Sequence, residues 1–381
     1  MKILHTSDLH IGKRVNEFSM IDDQKYILQR IEHIVAEERP DVVVIAGDVY
    51  NSATPSAEAV VLLSDFITQL HARCPHVVIL SGNHDSAERL AFGSAIMRRN
   101  GVYFSQPFSR EPQKLTIPDA YGEVNIYLLP FVRPIDVRSA FKDALEDSGE
   151  PMERYDEAVA KAVEAMKPDY SVRNILVAHQ YIQGGERCEG EEVVGGLDEV
   201  DVEIVRLFDY VALGHLHRPQ HVQYKHVRYS GSPLKYSFSE VQNTKSVSII
   251  ELSEKGRTTI RERELVPLHD WADLRGTYDE LMSEAFYGGK GYENMYVRLT
   301  LTDEDEVVDA MNKLRNVYPL AMVLQYDNTR TRHNQQCVET EHVENKSPQE
   351  LVCEFFEKQN GQPMNEAQSE LVTNLIQAIF V

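Results

Sequence analysis

The sequence predicts an α/β fold of layered sheet flanked by helices, and three observations carry that prediction. Short apolar segments alternate with amphipathic helical ones through the amino-terminal part of the chain. Five of the apolar segments end on residues of metal-binding type. After about residue 265 the pattern gives way to a smaller strand-helix-strand unit and then to two apolar-striped helices. Alternation of this kind is what helices covering a sheet require.

The elements follow in order. Residues 2–6 form a short apolar strand, and residues 21–38 place Ile27, Leu28, Ile31, Ile34 and Val35 at helical spacing. Residues 41–46 are a buried strand, 56–71 a helix and 77–80 the next strand; 126–129, 175–178 and 211–213 are further strands. A strand over 296–301, an acidic-capped helix over 304–317 and a strand over 321–326 make a small α+β cap. Residues 327–346 are polar and aperiodic and read as a linker. The helices over 348–358 and 365–380 carry the stripes Leu351, Phe355, Phe356 and Leu371, Leu375, Ile376, Ile379. Such stripes need a cover, either their own domain or a partner protein. The expected divisions are 1–265, 266–340 and 341–381.

Composition narrows the function. Of 381 residues, 42% are apolar and 26% charged, so a chain of this length buries a full core and is not disordered as a whole. The longest apolar runs, such as Val42-Val43-Val44-Ile45-Ala46, are far shorter than the roughly 18 residues a membrane helix needs. The amino terminus turns polar too early for a signal peptide, which predicts a cytoplasmic address. Cys74, Cys188, Cys337 and Cys353 form no Cys-x-x-Cys pair, so neither a zinc ribbon nor a disulfide framework is expected. The net charge of −21 opposes a polyanionic substrate only if it is evenly spread. It is not, because residues 142–203 alone hold 17 acidic and 6 basic side chains.

The chemistry gathers at strand ends: Asp8-Leu9-His10, Gly47-Asp48, Gly82-Asn83-His84-Asp85, Ala178-His179 and Gly214-His215-Leu216-His217. Polar groups beyond the carboxyl ends of strands share one crevice in such sheets. In Asp8-x-His10 and His215-x-His217 the i and i+2 side chains point the same way and reach one site. Imidazole, carboxylate and amide oxygen without thiolate suit manganese, iron or zinc. Seven donors are too many for one ion. Two cations sharing one carboxylate would serve an in-line phosphoryl displacement. Asp48 is the expected bridge, with Asp8, His10 and His217 on one ion and Asn83, His179 and His215 on the other. His84, facing away from Asn83 in an extended backbone and held by Asp85, is expected to protonate the leaving oxygen or stabilise charge on the phosphoryl group.

Taken together these blocks resemble the calcineurin-like metallophosphoesterases, whose five-part signature is present in full. The likeness is greater still to the DNA-processing nucleases of that family, through Ser7-Asp8-Leu9-His10-Ile11-Gly12, Gly82-Asn83-His84-Asp85-Ser86 and Gly231-Ser232-Pro233-Leu234-Lys235-Tyr236-Ser237-Phe238, and it extends over the tail helices. The resemblance implies a layered β-sandwich flanked by helices, with the cap and tail attached. It implies a manganese-dependent nuclease acting on double-stranded ends, single strands and hairpins. It also implies a homodimer, within a heterotetramer, whose tail helices grip a coiled-coil ATPase that drives the double-strand activity. The family's metal ligands fall on Asp8, His10, Asp48, Asn83, His179, His215 and His217, and its catalytic histidine on His84. Asn51 stands where some relatives have a second histidine, and an amide cannot shuttle a proton. Basic groups Lys13, Arg14, Arg98, Arg99, Arg133 and Arg218 are candidates for phosphate contacts. No Gly-x-x-x-x-Gly-Lys-Ser/Thr loop is present, so ATP hydrolysis is left to a partner. A phosphatase or cyclic-nucleotide phosphodiesterase on the same two-metal site, and a non-catalytic scaffold, are the alternatives. The residues beyond the catalytic domain weigh against the first, and the complete ligand set weighs against the second.

Overall fold

A strand buried at every position, as Val42–Ala46 is, needs apolar matter on both faces. The chain meets that need with two sheets packed face to face. The computed structural model describes residues 1–142, 154–191 and 198–331, and within the tail 351–353, 355–357, 363–365, 368–369, 371–373 and 375–376. Its elements run β1 (Lys2–Thr6), a ribbon of β2 (Arg14–Val15) and β3 (Phe18–Ser19), α1 (Ile21–Glu38), β4 (Val42–Ala46), α2 (Ala57–His71), β5 (His76–Leu80), β6 (Val102–Phe104), β7 (Gln113–Asp119) and β8 (Gly122–Leu129). They continue α3 (Pro134–Ala140), α4 (Tyr155–Met166), β9 (Arg173–His179), β10 (Tyr210–Gly214), β11 (Gln220–Val222), β12 (Tyr224–Tyr229), β13 (Ser246–Leu252) and β14 (Thr258–Glu264).

One sheet is ordered β14-β13-β1-β4-β5-β6 and the other β11-β12-β10-β9-β8-β7. Their central strands are parallel and only the flanking ones are antiparallel. Because side chains alternate along a strand, Ile3, Val42, Val44, Ala46, Val78 and Leu80 of one sheet face Ile126, Ile175, Val177, Tyr210 and Ala212 of the other. The opposite face of the second sheet, with Leu176, Ala178, Val211 and Leu213, packs on Ala158, Val159, Ala162 and Val163 of α4. Each fully buried side chain of this size contributes roughly 1.5–3 kcal/mol, whereas an exposed ion pair gives at most about 1 kcal/mol. Edge pairs such as Arg261 and Arg263 with Glu38 therefore decorate a fold that the core holds.

The chain divides between Asp270 and Trp271. The second unit has a parallel three-stranded sheet of β15 (Trp271–Gly276), β16 (Tyr296–Leu301) and β17 (Ala321–Tyr326), with Leu274, Val297, Leu299, Leu314 and Tyr318 in its core. The strand β15 was not expected. The helix expected over 304–317 shrinks to α5 (Ala310–Leu314). Upstream of it Asp309 is left-handed at φ 56°, the Asp303 carboxylate accepts from the Tyr278 amide and the Val307 amide donates to Tyr326 Oη, so neither caps nor extends this helix. The linker expected over 327–346 lies outside the described residues from 332 onward, as does much of each tail helix. The described tail residues 351–353, 355–357, 368–369, 371–373 and 375–376 are helical, with Phe355, Leu371 and Leu375 exposed. Among the described residues no helix is long and apolar enough to cross a membrane, and Cys74, Cys188 and Cys353 are free thiols.

Candidate metal centre

The first two motifs are brought side by side because the parallel pairing of β1 and β4 continues past the strand ends. Asp8 N donates to the Gly47 carbonyl at 3.0 Å, His10 N to the Asp48 carbonyl at 2.9 Å and Ile11 N to the Val49 carbonyl at 3.0 Å. The turn that aims the side chains inward costs backbone energy: Asp8 (φ 53°), His10 (φ 46°), Asp48 (φ 48°) and His215 (φ 107°) all occupy the left-handed region. Strain of about 1–3 kcal/mol per such residue persists where function demands the geometry. No reading of spacing foretold it.

From β5, β9 and β10 come the other groups. The His179 ring donates from Nδ1 to the Ala46 carbonyl at 2.8 Å, which leaves Nε2 facing Asn83 Oδ1 at 3.0 Å and Asp48 Oδ2 at 3.4 Å. Asn83 Oδ1 also meets His215 Nδ1 at 3.0 Å. On the other side His10 Nε2 lies 3.0 Å from His217 Nε2 and 3.7 Å from Asp48 Oδ2. Asp8 accepts from the His215 amide at 2.9 Å and from Ser7 Oγ. Asp8, His10, Asp48 and His179 are almost wholly buried.

Electrostatics mark Asp48 as the centre. Burial would raise its carboxyl, but the surrounding His179, His10 and His84 imidazoles hold it well below the carboxylate range. Burial would lower His179, yet the Asp48 charge lifts it to about 9. Asp8, dominated by burial, is pushed up to about 6, and His10 is held far below its ordinary value by burial. A dry pocket with several bases competing for few protons is one that divalent cations satisfy. Three further observations fit cations here. The His10 and His217 Nε2 atoms face each other at 3.0 Å, the Nδ1 of His215 and Nε2 of His179 both meet Asn83 Oδ1, and the donors contain no thiolate. Ligand atoms of Asp8, His10 and His217, and likewise of Asp8, Asp48 and His179, lie within 4.8 Å of one another.

All seven expected ligands thus converge. His84 sits closer to them than its position in an extended backbone suggests. Its amide donates to Asp48 Oδ1 at 2.9 Å and its Nε2 is 3.9 Å from Asp48 Oδ2, with the side chain 43% exposed. Asp85 does not hold the His84 ring, contrary to expectation. Its carboxylate is taken up by the amides of Val49, Tyr50 and Gly82, all within 3.0 Å, so it ties the two loops together. The ring is oriented instead by the backbone carbonyl of Asn51, which accepts from Nδ1 at 3.2 Å. That position acts through its main chain, so an amide side chain there is no obstacle. The Gly231 to Phe238 block lies against the first loop, with Tyr236 Oη donating to the Leu9 carbonyl at 2.6 Å and Ser7 Oγ to the Gly231 carbonyl at 3.3 Å. Of the basic candidates, Arg133 and Arg218 are paired with Asp136 and Glu186, while Lys13 lies 5.1 Å from the centre of the Tyr236 ring. Sequence reasoning also missed Phe131, stacked on His215 with 6.4 Å between ring centres.

Two glycines are required by this closeness. A Cβ at Gly82 would come 2.1 Å from Asp48 Oδ1 and 2.4 Å from its amide nitrogen, and one at Gly214 would come 1.9 Å from the Ala46 carbonyl oxygen. Gly82→Ala and Gly214→Ala are expected to lower stability by about 1–3 kcal/mol or more through overpacking and to impair divalent-metal uptake. Thermal melting and metal analysis of the purified variants check this.

Comparison with known proteins places these residues in a family. Residues 1–219 match the family described as calcineurin-like phosphoesterase, and residues 265–360 match one described as type 5 capsule protein repressor C-terminal domain. The SbcD chain of the nuclease SbcCD from Staphylococcus epidermidis is 32% identical over 385 residues, covering 100% of this chain and 99% of its own length.

Proposed function

Because the chain belongs to the calcineurin-like phosphoesterases, and within them to the SbcD chains of SbcCD nucleases, we propose that this metal-dependent hydrolase processes DNA ends by cleaving phosphodiesters at a two-metal centre. The observation that supports this most is the convergence of seven nitrogen and oxygen donors, with Asp48 in their midst, from five strand ends. In this reading Asp8, His10 and His217 hold one cation, Asn83, His179 and His215 the other, and Asp48 both. The ligand set admits manganese, iron or zinc, and family likeness favours manganese. When bound, such cations supply Lewis acidity toward a phosphoryl oxygen and make water nucleophilic at neutral pH. His84, its Nδ1 proton fixed on the Asn51 carbonyl, presents Nε2 at the exposed rim, where a protonated ring can stabilise charge or deliver a proton to the leaving oxygen. Asp85 keeps the Asp48 and His84 loops in register, and Ser7 with the His215 amide keeps Asp8 aimed.

The proposal extends to partners. The tail, with Phe355, Leu371 and Leu375 exposed, docks on the coiled coil of an SbcC-type ATPase, whose ATP hydrolysis drives double-strand exonuclease action. Cleavage of single strands and hairpins needs the metal alone. Val60, Phe92 and Met97, exposed and lining one groove, support pairing of two copies, giving a heterotetramer in DNA repair, recombination and replication, with a cytoplasmic address.

The experiment is purified chain, with and without its ATPase, on duplex, hairpin and bis-nitrophenyl phosphate substrates, with Mn²⁺ and ATP varied separately. Mn²⁺ alone is expected to support hairpin and bis-nitrophenyl phosphate cleavage, and duplex degradation is expected to need ATPase and ATP. Truncation from residue 347 is expected to leave the first activity and abolish ATPase binding. Hydrolysis of phosphomonoesters with DNA untouched would favour the phosphatase reading.

A further inference from the structure

Among the described residues His217 is the one imidazole of the centre whose outer nitrogen faces carboxylates. Its Nδ1 lies 3.4 Å from Glu191 Oε1 and 3.6 Å from Glu240 Oε1, while its Nε2 points at His10 Nε2, 3.0 Å away. Both carboxylates are buried, Glu240 completely, and neither can turn to water. Each is pinned. Glu240 Oε1 accepts from the Tyr236 amide and from Ser237 Oγ, both at 3.1 Å, while its other oxygen meets Lys245 Nζ. Glu191 accepts from the His217 amide at 2.8 Å and the Cys188 amide at 2.7 Å.

Lys245, itself 3% exposed, donates also to the His217 carbonyl at 2.8 Å and to Ser232 Oγ at 2.9 Å. The ammonium thus neutralises one carboxylate and fixes the backbone of the ligand, and the second carboxylate leaves one negative charge facing Nδ1. A negative charge there favours the tautomer with the proton on Nδ1, which frees the Nε2 lone pair toward Asp8 and His10. A carboxylate behind an imidazole ligand raises its basicity and fixes its direction. His179 is backed only by the Ala46 carbonyl; the outer nitrogens of His10, His215 and His217 form no hydrogen bond among the described residues, and of these three only that of His217 has carboxylate oxygens beside it, so their hold on it is electrostatic.

We infer that Glu240, with Glu191 and the counter-ion Lys245, is a positioning residue that fixes the tautomer and direction of His217 and makes the Asp8, His10 and His217 position the tighter of two metal positions. The inference rests on the two-cation reading above. Two buried glutamates and a lysine would otherwise be a costly way to build a loop, since apolar residues of similar volume hold such places as well or better.

The test is calorimetric titration of chelator-stripped full-length protein with Mn²⁺, alongside melting of the stripped protein. Wild type is expected to take up two Mn²⁺ in separable steps. Glu240→Gln weakens the tighter step by about 10–100-fold and leaves the weaker one unchanged. Glu191→Gln, which spares the Glu240–Lys245 pair, weakens the same step. The double variant Glu240→Leu with Lys245→Met keeps the stripped protein near its wild-type melting temperature, because no charge is left unpaired, yet shows the same loss of the tighter step. Recovery of that step in the double variant would overturn the inference, because the pair would then serve only the fold; so would two unaltered steps in every variant. Wild type that takes up no Mn²⁺ would overturn the two-cation reading and this inference with it.

Discussion

Asp48→Asn is expected to remove divalent-metal binding at both positions and to bring phosphodiester cleavage below roughly a thousandth of the wild-type rate, the upper end of what loss of one preorganised charge-stabilising group costs. The carboxylate reaches both sides: its Oδ2 lies 3.7 Å from His10 Nε2, 3.4 Å from His179 Nε2 and 3.9 Å from His84 Nε2. Its Oδ1 accepts from the His84 amide, a bond that the asparagine oxygen can still accept, so the loop keeps its path while the charge goes. The same change removes the largest of the influences that lift His179 to about 9, leaving only the Asp8 charge and the Ala46 carbonyl to oppose burial, so that ring's pKa is expected to fall. Metal content by mass spectrometry and cleavage of bis-nitrophenyl phosphate measure the outcome. Unaltered metal content in Asp48→Asn would disprove the shared role.

His84→Gln is expected to behave differently. Turnover should fall by about 10²–10⁴-fold, the range for a general acid, while metal content stays at the wild-type level. Exposure separates the two residues. His84 is 43% exposed at the rim, and its ring is anchored by a main-chain carbonyl rather than by the buried donors. Loss of metal along with activity would make His84 a ligand, which its 3.9 Å approach to Asp48 and its grouping with His10 and Asp48 make the sharpest rival reading. Substrates with a good leaving group need less proton donation, so nitrophenyl esters should lose less rate than DNA.

The centre was legible because five strand ends carry its ligands in consecutive motifs, and a parallel sheet delivers such ends to one place. Asp48 and both the Asp-x-His and His-x-His pairs stand out as candidate ligands in the sequence. What surrounds them does not. Glu191, Glu240 and Lys245 look like surface charges in a sequence and become interior groups through partners 3 to 28 positions away. Asp85 follows the same logic in reverse: its neighbour in sequence suggests itself as the partner, whereas three amides from two loops claim it. In the fold, strands buried on both faces, such as β4 and β9, announce themselves as apolar runs. The edge strand β14, Thr-Thr-Ile-Arg-Glu-Arg-Glu, does not, because one face is solvated and its arginines pair with Glu37 and Glu38 of α1. The helix expected over 304–317 is too long because acidic residues that resemble an amino-terminal cap spend their oxygens on the Tyr278 and Thr329 amides.

Anomalous diffraction at the manganese edge, from crystals of the full chain soaked in Mn²⁺, tests the central claim most directly. Two peaks about 3.5–4 Å apart are expected, one beside Asp8, His10 and His217, the other beside Asn83, His179 and His215, with Asp48 touching both. No peak in this pocket, or manganese bound elsewhere with these seven side chains uninvolved, would contradict it.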